Sequence, residues 1–161
     1  MSESRVEWVF QIYVHYHLGL MKLIRMAVGY KNSDKIDSRI TPEHFKITET
    51  GVRKMNFRLK FPLEGETCRD AAWRLDGEGY DLANIGELAA FLESNPKVVE
   101  KYFSVLALGH DSRWECAYDV GIYVPCVSVS VGGADRYFLI YSFHAKLYSD
   151  HAILVSGGPE P

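Results

Sequence analysis

Between Met55 and Leu63 the chain alternates with period two, placing Phe57, Leu59, Phe61 and Leu63 on one side and Arg58 and Lys60 on the other. That is the pattern of a strand with one face buried and one in water. Later, Tyr102–Leu108, Gly121–Val131, Tyr137–Phe143 and Ala152–Ser156 are β-branched and aromatic runs divided by Gly109-His110-Asp111-Ser112, Gly132-Gly133-Ala134-Asp135 and Tyr148-Ser149-Asp150. Gly132-Gly133 between two such runs is hairpin chemistry, because glycine accepts the positive φ of a tight reversal. Helical spacing governs Leu20, Leu23, Ile24, Ala27 and Val28, predicting a helix over residues 17–29 that Gly29 closes. Before it, Val6–His17 reads equally as strand or helix: Trp8, Phe10, Ile12, Val14 and Tyr16 alternate, but Val9 and Tyr13 spoil the polar face.

Three further helices have start signals. Thr41-Pro42-Glu43 offers an N-cap followed by proline at the first helical position. Thr67–Leu75 predicts a short helix burying Ala71, Ala72 and Trp73 or Leu75. Asn84 stands three residues before Glu87, a capping box ahead of the apolar stripe Ile85, Leu88, Phe91 and Leu92, and Asn95-Pro96 stops that helix and restarts a short one. The predicted class is α+β, a single domain over residues 1–161. Helices fall mostly in the first two-thirds, and an antiparallel sheet of four to six strands occupies mainly residues 55–63 and 102–156. Residues 157–161 form a flexible tail.

The 161 residues and 47% apolar composition suffice for a core without staples. Three cysteines, Cys68, Cys116 and Cys126, show no CxxC spacing and do not frame a disulfide fold. The start MSESRVEW lacks a signal-peptide pattern, and charged side chains interrupt the apolar residues 6–28, so a soluble, cytoplasmic protein is expected. Charge is uneven: eleven Lys or Arg against six Asp or Glu through Lys60, then seven against fifteen. The basic residues are scattered rather than run together, which favours two halves that attract each other over a nucleic-acid arm.

The order Gly79-Tyr80-Asp81-Leu82-Ala83-Asn84-Ile85-Gly86-Glu87-Leu88-Ala89-Ala90-Phe91-Leu92, Asn95-Pro96, Ala107-Leu108-Gly109, Trp114, Tyr123-Val124-Pro125, Arg136-Tyr137-Phe138-Leu139 and Ile153-Leu154-Val155 is similar to small uncharacterised proteins of ultra-small, host-associated bacteria. Those in turn resemble C-type-lectin-like modules. The resemblance covers residues 79–156 and implies recognition rather than catalysis. Paired cysteines and a carboxylate-rich calcium loop are missing, so neither calcium nor sugar binding is carried over.

No cofactor motif is present. His15 and His17 would share a face on a strand, as two metal-binding imidazoles do, but the sequence names no third ligand. Gly77 and Gly79 precede a capped helix, yet Asp76, Glu78 and Asp81 surround that site with charge that repels phosphate. Cys116 and His110 in one loop could serve a small hydrolase or transferase, although no nucleophile signature surrounds the thiol. Cys126 sits in an apolar run and reads as an inert core thiol. Arg53, Lys54, Arg58 and Lys60 within the basic residues 1–60 offer a nucleic-acid reading, weakened because Phe57 and Phe61 share a face opposite Arg58 and Lys60. Tyrosine, tryptophan and arginine after residue 109 match the composition of interface hot spots. The expected function is therefore a non-enzymatic recognition module for a protein or other ligand, with Trp114, Tyr118, Arg136 and Tyr141 as contacts.

Overall fold

The computed structural model describes residues 7–159, so expectations placed on the first six residues and on Glu160-Pro161 lie outside it. Its sheet runs β1 (Phe10–His15), β2 (Val52–Lys60), β8 (His151–Gly157), β4 (Ser104–Leu106), β6 (Ile122–Val129), β5 (Trp114–Glu115). In addition β3 (Tyr80–Leu82) pairs with β8, and β7 (Arg136–Ser142) pairs with β6. The helices are α1 (Leu20–Val28), α2 (Cys68–Gly77), α3 (Ile85–Ser94) and α4 (Pro96–Val99).

The class is α+β, with two corrections. The sheet is mixed and, among the described residues, has eight strands: β4 and β8 run parallel, Ser104 opposite His151, while the other named pairs are antiparallel. Alternation reports which face a side chain takes and says nothing of strand direction. The helices also do not form an early block, since β1, β2 and β3 are threaded between them. β3 and β5, three and two residues long, are too short to show a period.

Residues 10–15 resolve as a strand, with Ile12 and Val14 buried and Gln11, Tyr13 and His15 exposed. His17 falls in a following 3-10 turn, so the two histidines do not share a strand face; their rings meet edge to face at 5.7 Å. α1 then begins at Leu20 and closes where Gly29, at φ 86°, donates its N–H to the Arg25 carbonyl. Thr41-Pro42 starts no helix. The Phe45 N–H reaches the Thr41 carbonyl at 3.0 Å for one turn, after which the chain straightens. Ile40 and Phe45 are both buried, and anchors five apart do not share a helical face.

Capping chemistry carries α2 and α3. Thr67 with Asp70, and Asn84 with Glu87, each form a reciprocal box that satisfies two orphan backbone donors. In α2 Leu75 is buried while Trp73 stands 65% exposed beneath the Arg69 guanidinium. Residues 85 to 92 of α3 are all buried, because α1 covers the helix face that the sheet does not. Two apolar clusters result. Phe57, Val105, Val127, Phe138 and Leu154 pack with α1 and α3, and Leu106, Val124, Cys126, Ile153 and Val155 pack with α2.

β8 runs to Gly157, and the Pro159 carbonyl accepts from Arg58 at 3.2 Å, so the described part of the expected tail is tied to β2. Among the described residues no helix is long and apolar enough to cross a membrane.

Candidate functional site

β8 begins at His151, and its partner β4 begins at Ser104, so the preceding residues meet side by side at the sheet end. The Phe103 N–H donates to the Asp150 carbonyl at 2.8 Å, extending that pairing outward. The turn into β8 closes on itself: the His151 N–H donates to the Tyr148 carbonyl at 3.0 Å, and the Tyr148 N–H donates to His151 Nδ1 at 2.9 Å. Alternation along β8 then directs the imidazole to the sheet face that carries Ile153 and Val155.

Three rings enclose it. Phe103 and Tyr141 lie 5.4 Å away between centroids and Tyr148 lies 5.9 Å away. Tyr141 is anchored at its far end, where its hydroxyl donates to the Lys146 carbonyl at 2.6 Å. The rings, with Ser149 and Asp150, border a recess of about 430 Å³. Phe103 and Tyr148 are 66% and 62% exposed, while His151 is only 1% exposed.

The proton inventory of this imidazole is constrained. Nδ1 accepts a backbone N–H, so the neutral ring carries its hydrogen on Nε2. A proton on Nδ1 would face the Tyr148 N–H, and the 3.8 Å approach of Asp150 to Nδ1 is therefore not an ion pair. Burial holds the His151 pKa below its ordinary value, against the pull of the Asp150 carboxylate. Nε2 is the one buried side-chain nitrogen or oxygen among the described residues that has no hydrogen-bond partner. A buried donor without an acceptor costs about 1–3 kcal/mol, and aromatic faces offset little of it.

A larger cleft of about 500 Å³ lies among Trp8, Phe10, Leu59, Phe61 and Tyr102. Its Lys60 ammonium is already held by Glu7 at 2.8 Å and the Tyr80 hydroxyl at 3.1 Å. The recess at His151 differs in having a polar group with unmet demand.

The four expected contacts do not gather on one face. Tyr141 belongs to the recess. Trp114 packs with the cluster on the opposite side of the sheet, stacked at 4.1 Å on His44 and 5.9 Å from Tyr123. Arg136 donates to the Ala27 carbonyl of α1 at 3.1 Å. Tyr118 is 99% exposed in the loop between β5 and β6.

Cys116 and His110 serve different neighbours. The thiol is buried beside Asp119, whereas His110 Nδ1 lies 3.5 Å from the Arg113 guanidinium, and no hydrogen bond joins the pair. Among the basic residues of β2, Arg53 lies over the Tyr16 ring and Arg58 holds Pro159. Cys68 and Cys126 are buried, and loss of solvent raises both thiols to about 12. Among the described residues no three His, Cys, Asp or Glu side chains gather where they could hold a metal ion.

His151 itself escaped the sequence reading. The available signal was a lone histidine opening the apolar run Ala152–Val155 directly after a Tyr-Ser-Asp turn. No protein-family model matches this chain, and neither a curated protein nor a solved structure matches it.

Proposed function

We propose that the chain is a non-enzymatic recognition module whose recess at His151 takes a planar group bearing a hydrogen-bond acceptor, free or carried on a polypeptide. The observation that carries this reading is the buried, unpartnered Nε2–H enclosed by three aromatic rings. Ligand sites combine apolar walls with a few placed polar groups, and a carbonyl or carboxylate oxygen would supply what Nε2 lacks. Phe103, exposed and in edge contact with the imidazole, loses little packing when it turns aside to admit such a group.

A binding role fits the imidazole better than a catalytic one. A general base needs a free lone pair, but the Nδ1 lone pair is taken by the Tyr148 N–H and Nε2 carries the proton. The group is thus built to donate. Tyr141, expected from the sequence as a contact, supplies one wall.

The test is a fragment titration with planar carboxylates and amides, followed by long-range proton–nitrogen correlation of the His151 ring. Binding should move the Nε2 resonance. The variant His151→Asn keeps an acceptor near the Nδ1 position for the turn and removes the Nε2 donor, so it should lose the binding while keeping the fold. Fragments that never perturb His151, or that bind His151→Asn equally well, would sink the proposal.

A further inference from the structure

Among the described residues β1 ends the sheet: it pairs with β2 alone, so half of its backbone donors and acceptors face outward. Edge strands are ordinarily protected by lysine, proline, a bulge or a covering element. β1 reads Phe-Gln-Ile-Tyr-Val-His, six regular residues without a charged acidic, lysine or arginine side chain and without proline. Trp8, Val9 and Tyr13 are exposed at this edge, and a cleft of about 470 Å³ lies along it, lined by Ile12, Leu23, Met26 and Ala90 and, on its polar side, by His15 and Glu93.

We infer that this edge is an isologous interface, at which β1 of a second copy of the chain pairs antiparallel to form one continuous sheet. The argument for a second copy is that β1 is complementary to itself. Centred on Tyr13, antiparallel pairing sets Tyr13 opposite its own copy, Ile12 opposite Val14 and Gln11 opposite His15. Buried positions thereby meet buried positions, and exposed positions meet exposed ones. No lysine, arginine or carboxylate falls directly opposite its like. The nearest like charges in that row are the two Lys54 side chains, since Lys54 stands beside Tyr13 in β2. Three strand spacings separate them, about 14 Å, beyond the Debye length of about 8 Å at physiological salt. A twofold axis normal to the sheet also places α1 and α3 of both copies on the same face. Leu23, Met26 and Ala90 of the two clefts then meet across one seam, as a self-complementary interface requires.

Light scattering after size exclusion, from low to high micromolar protein, tests the inference. The expected result is a mass that rises to two chains, and a double variant Gln11→Lys, Tyr13→Lys that stays at one chain and melts where the native chain melts at concentrations low enough to keep it single, because both positions are exposed. Tyr13→Cys should cross-link rapidly to its copy under copper phenanthroline, and Tyr118→Cys should not. A native chain that remains single throughout overturns the proposal. So does a pair that persists in the double-lysine variant, or cross-linking at Tyr13 no faster than at Tyr118.

Discussion

The Tyr148 N–H donates to His151 Nδ1 at 2.9 Å, and that bond decides which nitrogen of a buried imidazole can meet a ligand. The same residue pair closes the turn in reverse, His151 N–H to Tyr148 carbonyl at 3.0 Å, so the ring is fixed by its own backbone connection. Rigidity of this kind lowers the cost of ordering a site at the moment of binding. It also places Nε2 among rings, where a donor is poorly served until an acceptor arrives.

Stability should therefore fall with acid through this group. Above its ordinary pKa of about 6.5 the imidazole is neutral in folded and unfolded chains alike, and it contributes no slope. As pH drops below that value the unfolded chain takes up the proton first, because burial holds the folded pKa lower. The folded state loses ground until its own imidazole protonates. Urea unfolding at about pH 7.5 and about pH 5.5 should show a smaller acid loss for His151→Asn than for the native chain. Equal losses would mean that the imidazole does not titrate as its surroundings dictate.

The second prediction concerns a junction between β1's end and α3. The Tyr16 hydroxyl donates to Glu87 Oε2 at 2.9 Å, and Oε1 accepts the Asn84 N–H at 3.0 Å. Burial drives the Glu87 pKa up, the Asn84 and Tyr16 donors opposing, and drives the Tyr16 phenol up as well. Tyr16→Phe removes a donor from a buried carboxylate and should cost about 1–3 kcal/mol in denaturant midpoints. Glu87→Gln retains the capping geometry and removes the buried charge, so it should cost less than Tyr16→Phe at neutral pH. A larger loss from Glu87→Gln would show that the charge itself stabilises α3.

Arg74 offers a sharper case. Its Nε and one terminal nitrogen grip both oxygens of Glu66 at 2.8 and 3.0 Å, and that second nitrogen also donates to the Phe61 carbonyl at 3.1 Å. The Glu66 side chain is 7% exposed. Arg74→Ala strands that carboxylate and should destabilise the protein by about 3–5 kcal/mol. Arg74→Lys keeps the charge but cannot match the fork, and thermal unfolding should place it between the two. A Lys variant as stable as the native chain would show that charge alone suffices.

What the sequence disclosed follows from how far each signal reaches. Asn84 and Glu87, three apart, announced α3 because the capping bonds are local and their partners adjacent in the chain. Phe57 and Leu59 announced β2 by alternation. The pairing of Ser104 with His151 is set by contacts 47 residues apart, which no local period encodes. Trp114 and Tyr141 were expected on one surface, but the strands that carry them send the two rings to opposite sides of the sheet. Composition found Tyr141; finding the histidine it shelters required the fold.

The loop between β5 and β6 holds the last prediction. Val120 is the one non-glycine residue at positive φ, 59°, among the described residues. That region is disfavoured for a β-branched side chain, by about 1–2 kcal/mol relative to the right-handed regions. Nothing repays the strain through packing, since Val120 is 79% exposed. The turn is instead imposed from outside it: the Cys116 N–H donates to the Gly121 carbonyl at 2.8 Å, and the Val120 N–H to the Cys116 carbonyl at 3.0 Å. Asp119 adds a clamp, accepting the Gly121 N–H at 2.9 Å and the Tyr123 hydroxyl at 2.5 Å. Glycine at 120 relieves the clash, although its looser unfolded chain returns part of the gain. Val120→Gly should therefore raise stability by about 0.5–1 kcal/mol in urea unfolding, whereas Val120→Ala, which keeps the Cβ, should recover less. A destabilised Val120→Gly would mean that the exposed valine contributes contacts that outweigh its backbone strain.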